Sequence, residues 1–355
     1  MQDISSLPLE ILVHLAFQMD IPEVLDFCQL SKRIDRKVCR RRYFWKLLLQ
    51  KDNLDIPAEL IYKGGKFNWL LYFLIKYPEK KWNWYGLSKN ANITWEIVQA
   101  YPNLPWDWHG LSVNPNTTWD IVGAYSDKLW DWDNLSENPN ITWENVSSNL
   151  DKNWNWFRLS RRPDITWEII QNNLILPWDW NGLSINPNIT WEIVQKKSYK
   201  FWDWIGLSQN PNVTWEIVRA NPEKPWHWYW LSTNPNITMK IAQDNPNENW
   251  NWHVLSENSK TTWEMVQDNR ERNLNWYMLS RNPNITWEIV QANPDKPWNW
   301  YMLSGNPNIT WEIIQAHPDK PWVWEGLSRN PNITWEIIYE NPDKSWDWST
   351  LSFKE

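Results

Sequence analysis

A threonine opens the same short phrase at Thr94, Thr118, Thr142, Thr166, Thr190, Thr214, Thr238, Thr262, Thr286, Thr310 and Thr334, always 24 residues apart and without one insertion. A Leu-Ser pair keeps the same period twelve times, from Leu87 to Leu351. A register held so strictly requires each unit to touch the next in a fixed way, since a one-residue slip would misalign every later contact. This is the pattern of a solenoid, in which each unit buries its faces against its neighbours. A worn half-unit, Asn68 to Lys80, precedes the array, with Leu71 at the Trp position and Tyr77-Pro78 at the Asn-Pro position.

One unit predicts two short helices. Thr94 is a good N-cap, and Glu96 in the first turn suits the helix dipole. Ile93 and Val98 sit at the two positions of a hydrophobic staple, and Pro102 ends the helix. The second half repeats the device, with Asp107 as N-cap, Trp106 and Leu111 as the staple, and Asn114-Pro115 as the stop. The fold class that follows is all-α, an α-solenoid of about twelve two-helix repeats. Helices of two turns fall far below the ~12–15 residues that stand alone in water, so burial must hold them. The chain has 36 Trp, each able to bury about 150–250 Å², roughly 4–6 kcal/mol apiece as an upper bound. The alternative is a leucine-rich-repeat-like β/α solenoid, because "ITWEIV" also alternates and 24 lies within that family's range of periods. Against it, the residue after each "WxW" varies freely (Tyr85, His109, Asp133, Phe157, Asn181, Glu325), as a solvent-facing helix position would. Lys354 and Glu355 are the expected polar cap of the far end.

Composition narrows the class. A net charge of −7 gives no support for nucleic-acid or membrane-surface binding. Two cysteines, Cys28 and Cys39, make no disulfide framework, which points to a reducing compartment. The N-terminus lacks the basic start of a signal peptide, and no apolar run reaches the ~18 residues of a membrane span. The expectation is a cytoplasmic protein.

The first fifty residues do not share the period. They predict three helices: one capped by Ser6 with Pro8 near its start, one opened by Pro22, and one from about Ile34 to Leu49. Residues 51–66 are a linker, and 67–355 the repeat domain. The N-terminal segment resembles an F-box, on Leu7, Pro8, Glu10, Ile11, Leu15, Leu25, Leu30, Ser31, Lys32, Trp45 and Leu48. It departs in Gln29-Leu30-Ser31 and in a basic third helix. The resemblance implies docking on the adaptor subunit of a cullin–RING ubiquitin ligase, with Leu7, Pro8, Ile11 and Leu15 left unburied to do so. Trp-rich repeats after such a segment are also similar to tandem-repeat proteins of giant DNA viruses that infect amoebae, which would place the protein in a host cytoplasm. The competing reading is a helical cap that seals the solenoid.

No catalytic constellation is present. The five His share no spacing, and there is no Cys cluster, Gly-rich phosphate loop or nucleophile elbow. No cofactor or metal is expected, and no enzyme. The Trp positions are locked to the period, which fits core better than a stacking platform for sugars or bases. The recurring Glu after each Trp fits charge compensation at a helix start better than a metal ladder. The basic run Arg36 to Lys46 could grip phosphates but fits a solvated helix face. Target binding is expected at the variable slots that turn aromatic or sulphur-bearing: Tyr229, Trp230, Tyr277, Met278, Tyr301 and Met302. The function expected is that of a non-enzymatic adaptor, or else of a structural scaffold.

Overall fold

The computed structural model describes residue 4 and residues 7–197 and 201–355. Among these the chain holds 29 α-helices, one π-helical turn and a single two-stranded hairpin. The chain is an all-α solenoid of repeated Trp-bearing helices. The "WEIV" part of "ITWEIV" is helical with Thr as its N-cap, and no strand forms there, so the leucine-rich-repeat alternative falls. Two compact units are distinguished, one of residues 1–116 with 334–355, the other of residues 117–333.

The N-terminal module starts with α1 (Leu9–Gln18), directly after Pro8, and buries Leu12 and Ala16. Ser6 lies outside the described residues. Helix α2 (Ile21–Gln29) has a full capping box: Glu23 N–H donates to Asp20 Oδ1 (2.9 Å) and Asp20 N–H to Glu23 Oε2 (3.0 Å). The expected third helix is not continuous. A single turn, α3 (Lys32–Ile34), runs into the π-helical turn Asp35–Cys39. The backbone then breaks at Arg40-Arg41 before α4 (Arg42–Gln50). Two contacts hold the break. Cys28 and Cys39 are joined by a disulfide, both sulphurs buried, and the Trp45 indole N–H donates to the Cys39 carbonyl at 2.6 Å. The two cysteines, too few for a disulfide framework, thus form this single bond.

Residues 51–66, the expected linker, carry secondary structure of their own. They form α5 (Ala58–Ile61) and the first strand of the hairpin β1 (Tyr62–Lys63) and β2 (Lys66–Phe67). Gly64 and Gly65 between the strands both have positive φ, 62° and 85°, as a two-residue primed hairpin turn requires. An aromatic chain then joins module to array. Trp45 stacks on Tyr62 (4.7 Å) and meets Phe67 (5.2 Å), which meets Trp69 edge-on (4.7 Å). Helix α6 (Trp69–Lys76) is the worn half-repeat.

Each repeat contributes a Leu-Ser helix and a Thr-Trp helix of four to six residues. Thr is the N-cap of every Thr-Trp helix, and its hydroxyl accepts the N–H three residues on at, for example, Thr118, Thr166 and Thr334. At Thr94, Thr214 and Thr286 that cap bond is missing, and the hydroxyl instead bonds the following glutamate, whose pKa it lowers. Asp or Asn caps most Leu-Ser helices, as Asp107 does for Gly110 N–H at 2.8 Å. The first Trp of "WxW" clamps the turn between the two helices. Trp106 Nε1 donates to the Tyr101 carbonyl, at the end of the Thr-Trp helix (2.9 Å), and the bond recurs at Trp178, Trp226 and Trp322. Helix ends leave such carbonyls without partners.

Neighbouring repeats are stitched by buried polar groups. In the unit of residues 117–333, the Asn210 side chain, fully buried, donates to the carbonyls of Ser184, Asn186 and Ile189 one repeat back (2.9, 3.0 and 3.3 Å). Asn212 donates likewise to Pro187 and Ile189. Ser184 relays: its hydroxyl donates to Trp180 O (2.7 Å) and accepts Asp203 N–H from the next repeat (2.9 Å). The buried polar side chains of this ladder thus have partners, without which each would cost about 1–3 kcal/mol. One repeat changes the chemistry and keeps the role. Arg162 stands at the ladder position and donates to Ser136 O and Ile141 O, while Asp164 binds its guanidinium at 2.6 Å.

In the other unit, the last repeat takes the place of the one before the first. Asn83 N–H donates to Ser352 Oγ (2.9 Å), and Asn90 Nδ2 donates to Ser352 O (3.2 Å) and Lys354 O (2.9 Å). Inside the array the equivalent bonds link residues 19, 26 and 24 apart. Here the separations are 269, 262 and 264. Each differs from twelve periods of 24, or 288, by the internal spacing. Trp82 meets Trp348 edge-on at 5.0 Å, as Trp132 meets Trp154 within the array. Phe73 stacks on Trp335 (5.3 Å), and the Trp69 indole donates to Glu336 (2.8 Å). Lys354 and Glu355 therefore do not cap a free end. Tyr72 reinforces the meeting point: its hydroxyl donates to Asp52 of the N-terminal module (2.5 Å), and its ring meets Tyr339 at 5.9 Å.

Candidate interaction surfaces

The Leu-Ser helix decides which side chains reach solvent. Its Leu and Ser are fully buried in nearly every repeat. The residue after the second Trp of "WxW" faces outward, and at that position Ile205, Tyr229 and Tyr277 are 41%, 44% and 42% exposed. These residues stand at one position of the Leu-Ser helices and form a row that His253 interrupts between Tyr229 and Tyr277. Tyr301 shares the position but is tied down. Its hydroxyl donates to Glu325 Oε1 one repeat on (3.1 Å), and Arg329 lies over its ring at 5.6 Å. Burial first, then Glu325, raises its pKa.

The next position along the helix is different. Glycine occupies it at Gly182 and Gly206, where a Cβ would lie 2.5 Å from the Phe157 carbonyl and 2.8 Å from Ser184 Cβ. The position faces the preceding helix. Trp230, Met278 and Met302 stand there and are half-buried. Trp230 also meets Tyr229 edge-on at 4.9 Å. Of the six candidate target-binding residues, Tyr229 and Tyr277 are thus surface residues, and Trp230, Met278 and Met302 are at least partly packing between repeats.

A second apolar set was not anticipated. Leu129, Leu174, Ile175 and Phe201 are 81%, 56%, 96% and 86% exposed. They lie in loops that follow Thr-Trp helices, a stretch that reads Asn-Pro-Asp-Lys-Pro at residues 293–297. The available signal is the loss of proline: Leu129 and Phe201 replace the second Pro, and Leu174 the first.

On the N-terminal module, α1 turns Leu12 and Ala16 inward. Pro8 and Ile11 are exposed, Ile11 to 47%, while Leu7 and Leu15 are half-buried. The Leu7 carbonyl accepts from Arg33 (3.2 Å). Leu30 and Tyr43 on the same module are also exposed, to 60% and 71%. Trp45 and Leu48 are core.

Among the described residues no three His, Cys, Asp or Glu converge as metal ligands would, and no helix is long and apolar enough to cross a membrane. No protein family, curated protein or solved structure matches the chain.

Proposed function

We propose that this chain is a non-enzymatic adaptor, in which the N-terminal module docks on the adaptor subunit of a cullin–RING ubiquitin ligase and the repeats present a target. One observation carries the reading. The module leaves Pro8, Ile11 and Leu30 exposed, although the outer face of the first repeat, where an end cap would sit, is already covered by Trp335, Trp348 and Ser352. A pure cap has no use for an exposed apolar face, whereas a docking helix needs one. The row of Ile205, Tyr229 and Tyr277 supports the second half of the reading, since aromatic residues on a rigid scaffold are favoured anchors at interfaces.

A structural reading is favoured by the bonds of Asp52, which accepts from both Tyr72 and Lys76 and so ties the module to the array. The two readings separate in one experiment. The full chain is used to pull down purified ligase adaptor subunit, beside an Ile11→Asp variant. Retention by the native chain and loss in the variant support the adaptor reading. No retention by the native chain removes it and leaves the scaffold.

A further inference from the structure

Residues 32–51 hold nine cations (four Lys and five Arg) against one carboxylate, Asp35, a net of +8. The whole chain is −7, so the other 335 residues carry −15. Most of these cations are exposed. Two of them, Arg40 and Arg42, line a cleft of about 680 Å³ between the module and the first repeat, with Lys63 of the hairpin as a third cation. That volume is in the range of built binding sites, roughly 300–1,000 Å³. The apolar part of the lining includes Trp45, Ala58 and Tyr62, all buried, and Ala100. Arg40 is held in place by Asp35 at 2.7 Å, and Asp35 also accepts from Tyr62. Arg42 and Lys63 are paired only loosely, to Glu59 at 3.9 Å and Glu96 at 3.7 Å, with both cation side chains more than 70% exposed. Pairs so open are worth ~0–1 kcal/mol and exchange readily for a better carboxylate.

We infer that this cleft is a second binding site, for an acidic peptide segment carrying an apolar anchor side chain. Its carboxylates would take Arg42 and Lys63 from Glu59 and Glu96, and its anchor would rest on the apolar lining. The mixed lining argues for peptide over nucleic acid. A polynucleotide wants an unbroken track of cations for its phosphates, and here two carboxylates interrupt the track in a chain that is otherwise acidic. The inference is independent of ligase docking, which uses α1, and of the aromatic row.

The test is fluorescence anisotropy on the full chain, with a fluorescein-labelled glutamate-rich peptide bearing one central phenylalanine. Binding that weakens with added salt is expected, together with a loss of roughly tenfold or more in the double variant Arg42→Glu, Lys63→Glu. Arg36→Glu, a reversal outside the cleft lining, should cost no more than about threefold. The neutral pair Arg42→Gln, Lys63→Gln gives the same readout should the reversed pair misfold, with circular dichroism as the check. Absence of binding at low salt, or equal affinity in the double variants and the native chain, overturns the proposal. Tighter binding of an oligothymidine strand, abolished by the double variants, also overturns it and assigns the cleft to nucleic acid.

Discussion

Ser352 Oγ accepts the backbone N–H of Asn83 at 2.9 Å across 269 residues, and Ser208 Oγ accepts that of His227 at 2.9 Å across 19. The first of these bonds joins the two ends of the array; the second is internal. Chemically they are the same contact. Ser352→Ala and Ser208→Ala should each cost about 1–2 kcal/mol, by leaving a backbone N–H without its acceptor. The two costs should agree to within ~0.5 kcal/mol in urea unfolding. A silent Ser352→Ala beside a costly Ser208→Ala would mean that the ends do not meet in solution.

The glycines of the Leu-Ser helices are contact residues. In Gly182→Ala the new Cβ would fall 2.5 Å from the Phe157 carbonyl, and neither backbone can yield cheaply. A loss of about 1–3 kcal/mol is expected. Gly123→Ala is the control, because a Cβ there meets nothing within 4 Å; a helical glycine replaced by alanine should gain up to ~1 kcal/mol. Equal effects at the two sites would contradict the close packing.

The Arg162–Asp164 pair replaces the two asparagines of the ladder as a unit. Arg162→Ala alone removes donors from Ser136 O and Ile141 O and should cost about 3 kcal/mol. The double change to Asn at both positions recreates the usual motif and should lie within ~1 kcal/mol of the native chain. Thermal unfolding of the three proteins checks the order.

Much of this fold was legible, and what was hidden has physical reasons. The period and the caps are local, so Thr94, Asp107 and the two-helix unit could be read residue by residue. The ladder was hidden because Asn90, Asn114 and Ser88 are polar, beside prolines in most repeats, and read as turn residues although they are fully or nearly fully buried. The meeting of the ends was hidden because a repeat with a neighbour looks, in sequence, like one without. In the candidate row the variable positions were visible, but not the difference between Tyr229 and Trp230. One step along a helix turns the side chain by about 100°, from solvent into the preceding repeat. The break in the third helix depends on a Cys28–Cys39 bond that nothing in the spacing announced.

Alkaline pH should loosen the link between module and array. Burial first, then the Asp35 carboxylate, pushes the Tyr62 hydroxyl up to about 12 from 10.0. A raised phenol pKa stabilises the folded state fully below pH 10, and that contribution is lost as the pH rises from 10 through 12. Tyr72, raised chiefly by burial and then by Asp52, acts in the same direction. Unfolding midpoints between pH 9 and pH 12 should fall for the native chain, and fall less steeply in Tyr62→Phe. Parallel slopes would exclude Tyr62 as a contributor.

Surface and core aromatics should part company under alanine substitution. Tyr229→Ala and Tyr277→Ala, at exposed positions, should stay within ~0.5 kcal/mol of native stability. Trp226→Ala, at a Trp that is 8% exposed and clamps the Asn221 carbonyl, should cost about 3–5 kcal/mol. Urea titration distinguishes them, and a large loss from either Tyr would mark it as packing rather than recognition.

Because Ser352 and Lys354 must reach Asn83 and Asn90, the number of repeats is itself a structural parameter. An open tandem array tolerates unequal recombination, since a repeat gained or lost only shifts the end. In this chain every internal duplication or deletion would have to be absorbed by the bonds that join its last repeat to its first. Selection would then act on repeat count as it acts on a core residue, and drift would be left to the side chains that face outward.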